Sequence, residues 1–425
     1  MPNTKIKSVH ARQTIDCKCR PMVEVDVITE DGSMGRGSAP TGSSVGMYES
    51  YVLRDNDPSE YHGMSVHKAV DNVNKIIAPA LIGREVTDQR DLDNIMIALD
   101  GTQFKQNLGG NAIYSTSIAC LRAAAVSLKV PLYEYLAGKK IKSVPIPSFN
   151  VVNGGHYASL TQPFNEFIIM PYKAASIYEA VEISVNTFHE LKHVIAAYLG
   201  RTPEVANSYG YAAPSEDPEE ILGLIDEAIR IGGYDGKFGF CFDCASSEMY
   251  DAESNTYYLK KQRVSSDELI SYMKYLTEKY NFIFVEDLLD ENDWDGYKKA
   301  KEQITKTILL GDDFIVTNRE RLTKAYNNHS IDGFILKPNQ VGTITEALDT
   351  YHFAKDHNLL SVPSGRSGGV IDDVVMDLAV GLQIGFIKNG CPKSGERIEK
   401  LNFLIRACES NPGCKLADIS DIIKF

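Results

Sequence analysis

The sequence predicts an α/β protein, a β/α barrel behind a smaller N-terminal α+β domain. Three observations predict it. Four short apolar runs, at 238–242, 282–285, 308–311 and 333–336, are too short for helices, and each ends at a charged residue: Asp243, Glu286, Asp312 and Lys337. Amphipathic stretches of helical period lie between them. The run ends recur about every 25 to 45 residues, near the length of one βα unit when ~250 residues make eight. In such a barrel the C-terminal strand ends meet at one mouth, where the chemistry sits. Acids and lysines also follow strands as solvated loop starts, and one alone would carry nothing. Four in step point to a site. Pro338 biases Lys337 toward extended geometry, which suits the end of a strand.

The bulk numbers bound the rest. A chain of 425 residues is long enough for two domains and a large core. Its net charge of −13, from 44 basic and 57 acidic residues, argues against a polyanion such as nucleic acid as partner and suits metal-ligating acids. No apolar run is long enough to span a bilayer, and the opening residues MPNTKIKSVH lack the apolar core of a signal peptide, so a cytoplasmic protein is expected. Eight cysteines read as reduced thiols. Cys241 and Cys244 form a C-x-x-C, but on a strand their thiols would face opposite ways, and no second such pair completes a zinc site.

In chain order, residues 5–32 alternate loosely and end in a strand into an Asp-Gly turn. Residues 35–46, GRGSAPTGSSVG, read as a flexible hydroxyl-rich loop. Residues 66–78 and 87–99 have apolar positions at helical spacing, and 112–136 is an alanine-rich helical stretch ending near Gly138. The N-terminal α+β domain is therefore drawn over 1–138, and the barrel over 139–425, with 139–147 as linker. The barrel opens on two close apolar strands, 149–152 and 167–170, joined by a loop. A helix over 175–199 is closed by Gly200. A loop and a helix at 218–231 follow, and strand and helix then alternate to about 408. A run over 359–362 leads into Ser364-Gly-Arg366-Ser367, and Thr343 with Glu346 reads as a capping box.

The helix over 175–199 contains His189-Glu-Leu-Lys-His193, which matches the zinc-protease pattern H-E-x-x-H. Ile177, Ala180, Val185, Phe188, Leu191 and Ile195 already supply a buried stripe beside the two histidines. The bland reading, an exposed pair on an outer barrel helix, is the stronger one for so short a pattern.

The stretches SAPTGSSVG, LRDNDPSEYHG, NGG, FDCASSEMY, VEDLLDENDWDG, GDDFIVTN, LKPNQVGT and SGRSGG occur in the order of their counterparts in enolase, the glycolytic phosphopyruvate hydratase. The chain resembles that family from about residue 5 to 408. The resemblance implies a barrel whose first strands form a hairpin, two Mg²⁺ per active site with substrate bound, a small phosphorylated or phosphonate carboxylate as substrate, and a homodimer or larger homo-oligomer. It implies that Asp243, Glu286 and Asp312 hold Mg²⁺, with Thr41 on a lid loop completing the second metal site. It further implies that Lys337 is the general base, that Arg366 and Ser367 contact phosphate, and that Lys388 holds the substrate carboxylate.

The other half of the family pattern is altered. Ser208 stands where the family has its general-acid glutamate, with Asn207 beside it. Tyr157 stands at a histidine, with His156 one position earlier. Gly365 and Gly369 replace a histidine and a glutamate, which removes bulk, and Asn165 replaces a glutamine; Glu166 is retained. The expectation is a Mg²⁺-dependent, enolase-like hydro-lyase. Lys337 would take the α-proton of 2-phosphoglycerate or a related phosphorylated or phosphonate 2-hydroxy acid. Elimination to a phosphoenolpyruvate-type product would follow, with Glu166 or His156 delivering the proton. The alternatives are a catalytically inactive enolase-like protein that binds metal or ligand, and a zinc peptidase through His189 and His193.

Overall fold

The computed structural model describes residues 3–42, 46–157 and 160–425. Strands β1 (Ile6–Ile15), β2 (Pro21–Thr29) and β3 (Met34–Ser38) form an antiparallel sheet in that order. Helices α1 (Gln89–Asp100) and α2 (Gly110–Ser127) follow, and α2 packs on β2 and β3. The approach is close because β3 carries glycine. A Cβ on Gly37 would stand 2.0 Å from the Ser115 carbonyl oxygen, and one on Gly35 2.1 Å from that of Ala119. The stretch expected to be a loop from residue 35 is therefore a strand as far as Ser38, since its small residues let a helix lie on it. Residues 43–45 of that stretch lie outside the described residues. Pro131 and the turn before it divide the alanine-rich stretch, so that α2 ends at Ser127 and a short helix occupies Leu132–Ala137.

The barrel strands are β4 (Ile146–Tyr157), β5 (Leu160–Met170), β6 (Gly239–Asp243), β7 (Phe282–Glu286), β8 (Ile308–Gly311), β9 (Gly333–Leu336), β10 (Leu360–Pro363) and β11 (Phe386–Lys388). Their order is β10-β9-β8-β7-β6-β5-β4-β11. A parallel bridge between Ser364 and Lys388 joins the two ends of the path and closes the ring. β5 runs against both neighbours and every other pair is parallel, so the barrel begins on a hairpin, as the resemblance implied. That hairpin is longer than expected. Residues 153–157 and 160–166, read as loop, pair as strands, His156 with Thr161 and Asn153 with Glu166, with a bulge between Asn153 and Gly155. Gly154 makes this possible, because a Cβ there would meet the Phe164 carbonyl oxygen at 2.0 Å.

Alternation along the strands makes two cores. Cys241, Phe284, Leu310, Ile335 and Phe386 fill the inside of the barrel. Phe240, Phe242, Val285, Leu309 and Phe334 face the outer helices, among them α3 (Ile177–Leu199) and α4 (Pro218–Ile231). Cys241 and Cys244 accordingly lie in different clusters. His189 and His193 lie on the exposed face of α3. No helix of the described residues is long and apolar enough to cross a membrane.

Candidate active site

The alternation that fills the barrel also builds the site. Two residues beyond the inward Cys241, Phe284, Leu310, Ile335 and Phe386 stand Asp243, Glu286, Asp312, Lys337 and Lys388. They keep the inward parity one step past the last apolar side chain. β5 runs the other way, and Glu166, two before the inward Ile168, pairs in register with Asp243. A cavity of about 420 Å³ opens above this layer.

Within it cations and carboxylates are interleaved. Lys337 is ion-paired with Asp312, whose other oxygen accepts from Gln340 Nε2 at 2.8 Å. Lys388 Nζ lies 2.5 Å from Glu286 Oε2, 3.2 Å from Asp243 Oδ2 and 3.6 Å from Glu166 Oε2. Burial pushes the Glu286 carboxyl well above the usual carboxylate range, and the charge of Asp243 adds to it. Burial disfavours the Lys388 ammonium, but Asp243, Glu286 and Glu166 outweigh it and hold its pKa up. Asp312 is buried too, yet Lys337 and Lys388 draw its pKa down. Lys337 is raised in return: burial lowers it and Asp312 more than compensates.

Most of the sequence-predicted residues meet in this cavity. Asp243, Asp312, Lys337, Lys388, Arg366 and Ser367 line it, as do Glu166, His156 and Ser208. Glu286 lies beneath, 0 % exposed, and is joined to the site through Lys388. Thr41 is buried beside the mouth, in a bridge with Gly368. Arg366 is held by Glu49 of the first domain, at 2.7 and 3.2 Å. Glu166 accepts from Asn150 at 2.9 Å. His156 is exposed near the hairpin tip, its Nδ1 3.1 Å from Thr161 Oγ1. The room expected at Gly365 and Gly369 is taken up: Cβ atoms there would stand 2.3 Å from Lys400 Nζ and 2.7 Å from Glu396 Cγ.

The residues fit a divalent cation. Glu286 Oε1 is buried with no hydrogen-bond partner among the described residues, and so is Thr41 Oγ1. The unpaired Glu286 oxygen, in a layer where carboxylates outnumber lysines, suits a hard ion such as Mg²⁺, and the Thr41 hydroxyl is a further oxygen donor at the mouth. Asp287, Asp312 and Asp313 form a second acidic group, with one oxygen of each within 4.8 Å of the others. Burial and the charge of Asp312 push Asp287 up to about 7 and Asp313 up to about 9. Asp287 already accepts from the backbone N–H groups of Asp312 and Asp313, at 2.8 and 2.7 Å, which shapes the turn after β8.

Sequence reasoning passed over several residues. Asp287 and Asp313 were visible as the second acid of each doublet. Glu49 lies 317 positions from Arg366, with no local signal of the pairing. Lys18, Arg397 and Lys400 line the cavity but read in sequence as ordinary surface cations. Two family models match the chain: Enolase, N-terminal domain, over residues 6–136, and Enolase, C-terminal TIM barrel domain, over residues 141–415.

Proposed function

The chain belongs to the enolase family, a family of lyases, and from that premise we propose that it takes the α-proton from a phosphorylated or phosphonate 2-hydroxy acid and then expels a C3 group. The observation that carries this reading is the shared inward parity of Asp243, Glu286, Asp312 and Lys337 at the barrel mouth. Asp243, Glu286 and Asp312 would hold Mg²⁺, with Thr41 offering its hydroxyl to a second ion. When bound, the metal supplies Lewis-acid stabilisation of the substrate carboxylate as charge builds on it. A lysine base working beside Mg²⁺ is the general pattern of sites in the enolase superfamily.

Lys337 is the base in this reading. Burial, Arg366 and Lys388 favour its neutral amine, and Asp312 opposes them. Lys388 orients the substrate carboxylate, and Arg366 with Ser367 receives the phosphate or phosphonate. Glu166 or His156 delivers the proton to the leaving group; Ser208 cannot, because an alkyl hydroxyl is far too weak an acid. Family membership also supports a homodimer or larger homo-oligomer.

The test is 2-phosphoglycerate with Mg²⁺ in deuterated water. Exchange at C2 is expected to outpace phosphoenolpyruvate formation, with elimination slowed by about 3–5 kcal/mol for want of the usual acid. Fast phosphoenolpyruvate formation would mean that Glu166 or His156 is a full replacement. Absence of any exchange would reject 2-phosphoglycerate as a substrate.

A further inference from the structure

The acids account for only part of the cavity wall. Lys18, on the turn between β1 and β2, lines another part, with Arg397 and Lys400 from helix α5 (Gly395–Glu409). Lys337, Lys388 and Arg366 are matched by carboxylates at short range. Lys400 and Arg397 are matched less closely. Lys400 is 4 % exposed. Its nearest carboxylate oxygen, Asp373 Oδ2, is 3.6 Å away. The other Asp373 oxygen caps the helix Val374–Gly381 by accepting from the Val375 N–H at 3.1 Å. Arg397 is 5 % exposed, donates to the Ser208 carbonyl at 2.7 Å and lies 3.3 Å from Glu396. Burial, Arg20 and Arg397 together hold the Lys18 ammonium below its usual pKa.

Gathering like charges along one partly buried wall costs free energy unless an anion joins them. The backbone is arranged to allow the gathering. Gly365 has no side chain, and the Lys400 ammonium occupies the place where its Cβ would be.

In the proposed reaction, the proton lies toward Lys337, the carboxylate toward Lys388, and the phosphate or phosphonate toward Arg366. Only the C3 arm remains, and the wall left for it holds Lys18, Arg397 and Lys400 as well as Glu166 and His156, which serve its leaving group. We propose that these three form a subsite for a third anionic group, a phosphate, phosphonate or carboxylate carried on the C3 arm of the substrate. The inference rests on the proposed reaction, because that reaction assigns the other three substituents.

Calorimetry on the full-length chain with saturating Mg²⁺ tests it. 2-Phosphoglycerate, with two anionic groups, is compared with 2,3-bisphosphoglycerate, which adds a third on C3. Turnover heat is removed by repeating both titrations in Lys337→Ala. The bisphosphate is expected to bind at least tenfold more tightly. The ratio of the two affinities should fall at least threefold in Lys400→Met, which keeps the packed stem, and likewise in Lys18→Met. It should also shrink as salt is raised. Equal affinities, or a ratio that neither variant changes, would overturn the subsite. Should Lys400→Met fail to fold, the wild-type ratio and Lys18→Met still decide. Exchange of the 2-phosphoglycerate proton without preference for the bisphosphate removes the subsite and leaves the reaction standing; no binding of either compound removes both.

Discussion

Replacing Lys337 with alanine separates the proposed base from the scaffold. In this structure the Lys337 ammonium balances the Asp312 carboxylate, and both side chains are nearly buried, 13 % and 9 % exposed. Removing one partner of a buried pair costs about 3–5 kcal/mol. Asp312 keeps its bond from Gln340, so the lower end applies, about 3 kcal/mol. At ~2.1 cal/mol/K per residue the unfolding entropy of this chain is roughly 0.9 kcal/mol/K, so Tm should fall by about 3 °C if both domains melt together. Mg²⁺ should raise the Tm of the variant by more than that of the wild type, because the cation meets less competition at Asp312. Proton exchange of 2-phosphoglycerate should fall by about 10²–10⁴. Scanning calorimetry with and without Mg²⁺, and proton NMR in deuterated water, read the two effects. Undiminished exchange would remove Lys337 as the base, and equal Mg²⁺ shifts would refute a cation at Asp312.

Asp243→Asn, Glu286→Gln and Asp312→Asn should each weaken Mg²⁺ binding in calorimetry, whereas Asp287→Asn should leave it near wild type and cost about 1–3 kcal/mol of stability through a lost backbone acceptor. The reverse result would move the ion to the Asp287–Asp312–Asp313 group. Asp26, held down to about 2 by Arg36 and Arg12, should contribute stability that is complete above its unfolded value of ~3.9 and lost as the pH falls through about 2. Asp26→Asn should therefore cost about 1–2 kcal/mol at neutral pH and flatten the acid limb of denaturation, discounted because Arg36 is half exposed. Gly37→Ala should destabilise by about 3 kcal/mol or more in urea titration, since its methyl would overlap the Ser115 carbonyl.

The parts of the site that follow strand alternation were legible in the sequence. Asp243, Glu286, Asp312 and Lys337 each end an apolar run, and period and spacing alone bring them to one mouth. What escaped depends on contacts distant in sequence. The pairing of 153–157 with 160–166 is hidden by glycines and polar residues that locally signal a turn, and only the neighbouring strands make the extension favourable. Glu49 reaches Arg366 across two domains. Lys400 looks like one more charge on an amphipathic helix, and its inward course depends on the missing side chain of Gly365. The turn of π-helix at Val73–Ile77 has no counterpart in the apolar spacing that marked the helix around it.

The inward parity of the charged layer at the barrel mouth also constrains how such a barrel can change over generations. A substitution at Asp243 or Lys337 alters one functional group and leaves its neighbours aimed as before. Deleting a single residue within β6 would instead exchange the two faces of the strand, turning Asp243 toward the outer helices and the aromatic Phe242 into the barrel interior. Length variation is therefore confined to the connections, where residues can be gained or lost without re-aiming a strand. The chemistry of this scaffold can drift by replacement, while its reading frame of inside and outside has to be inherited whole.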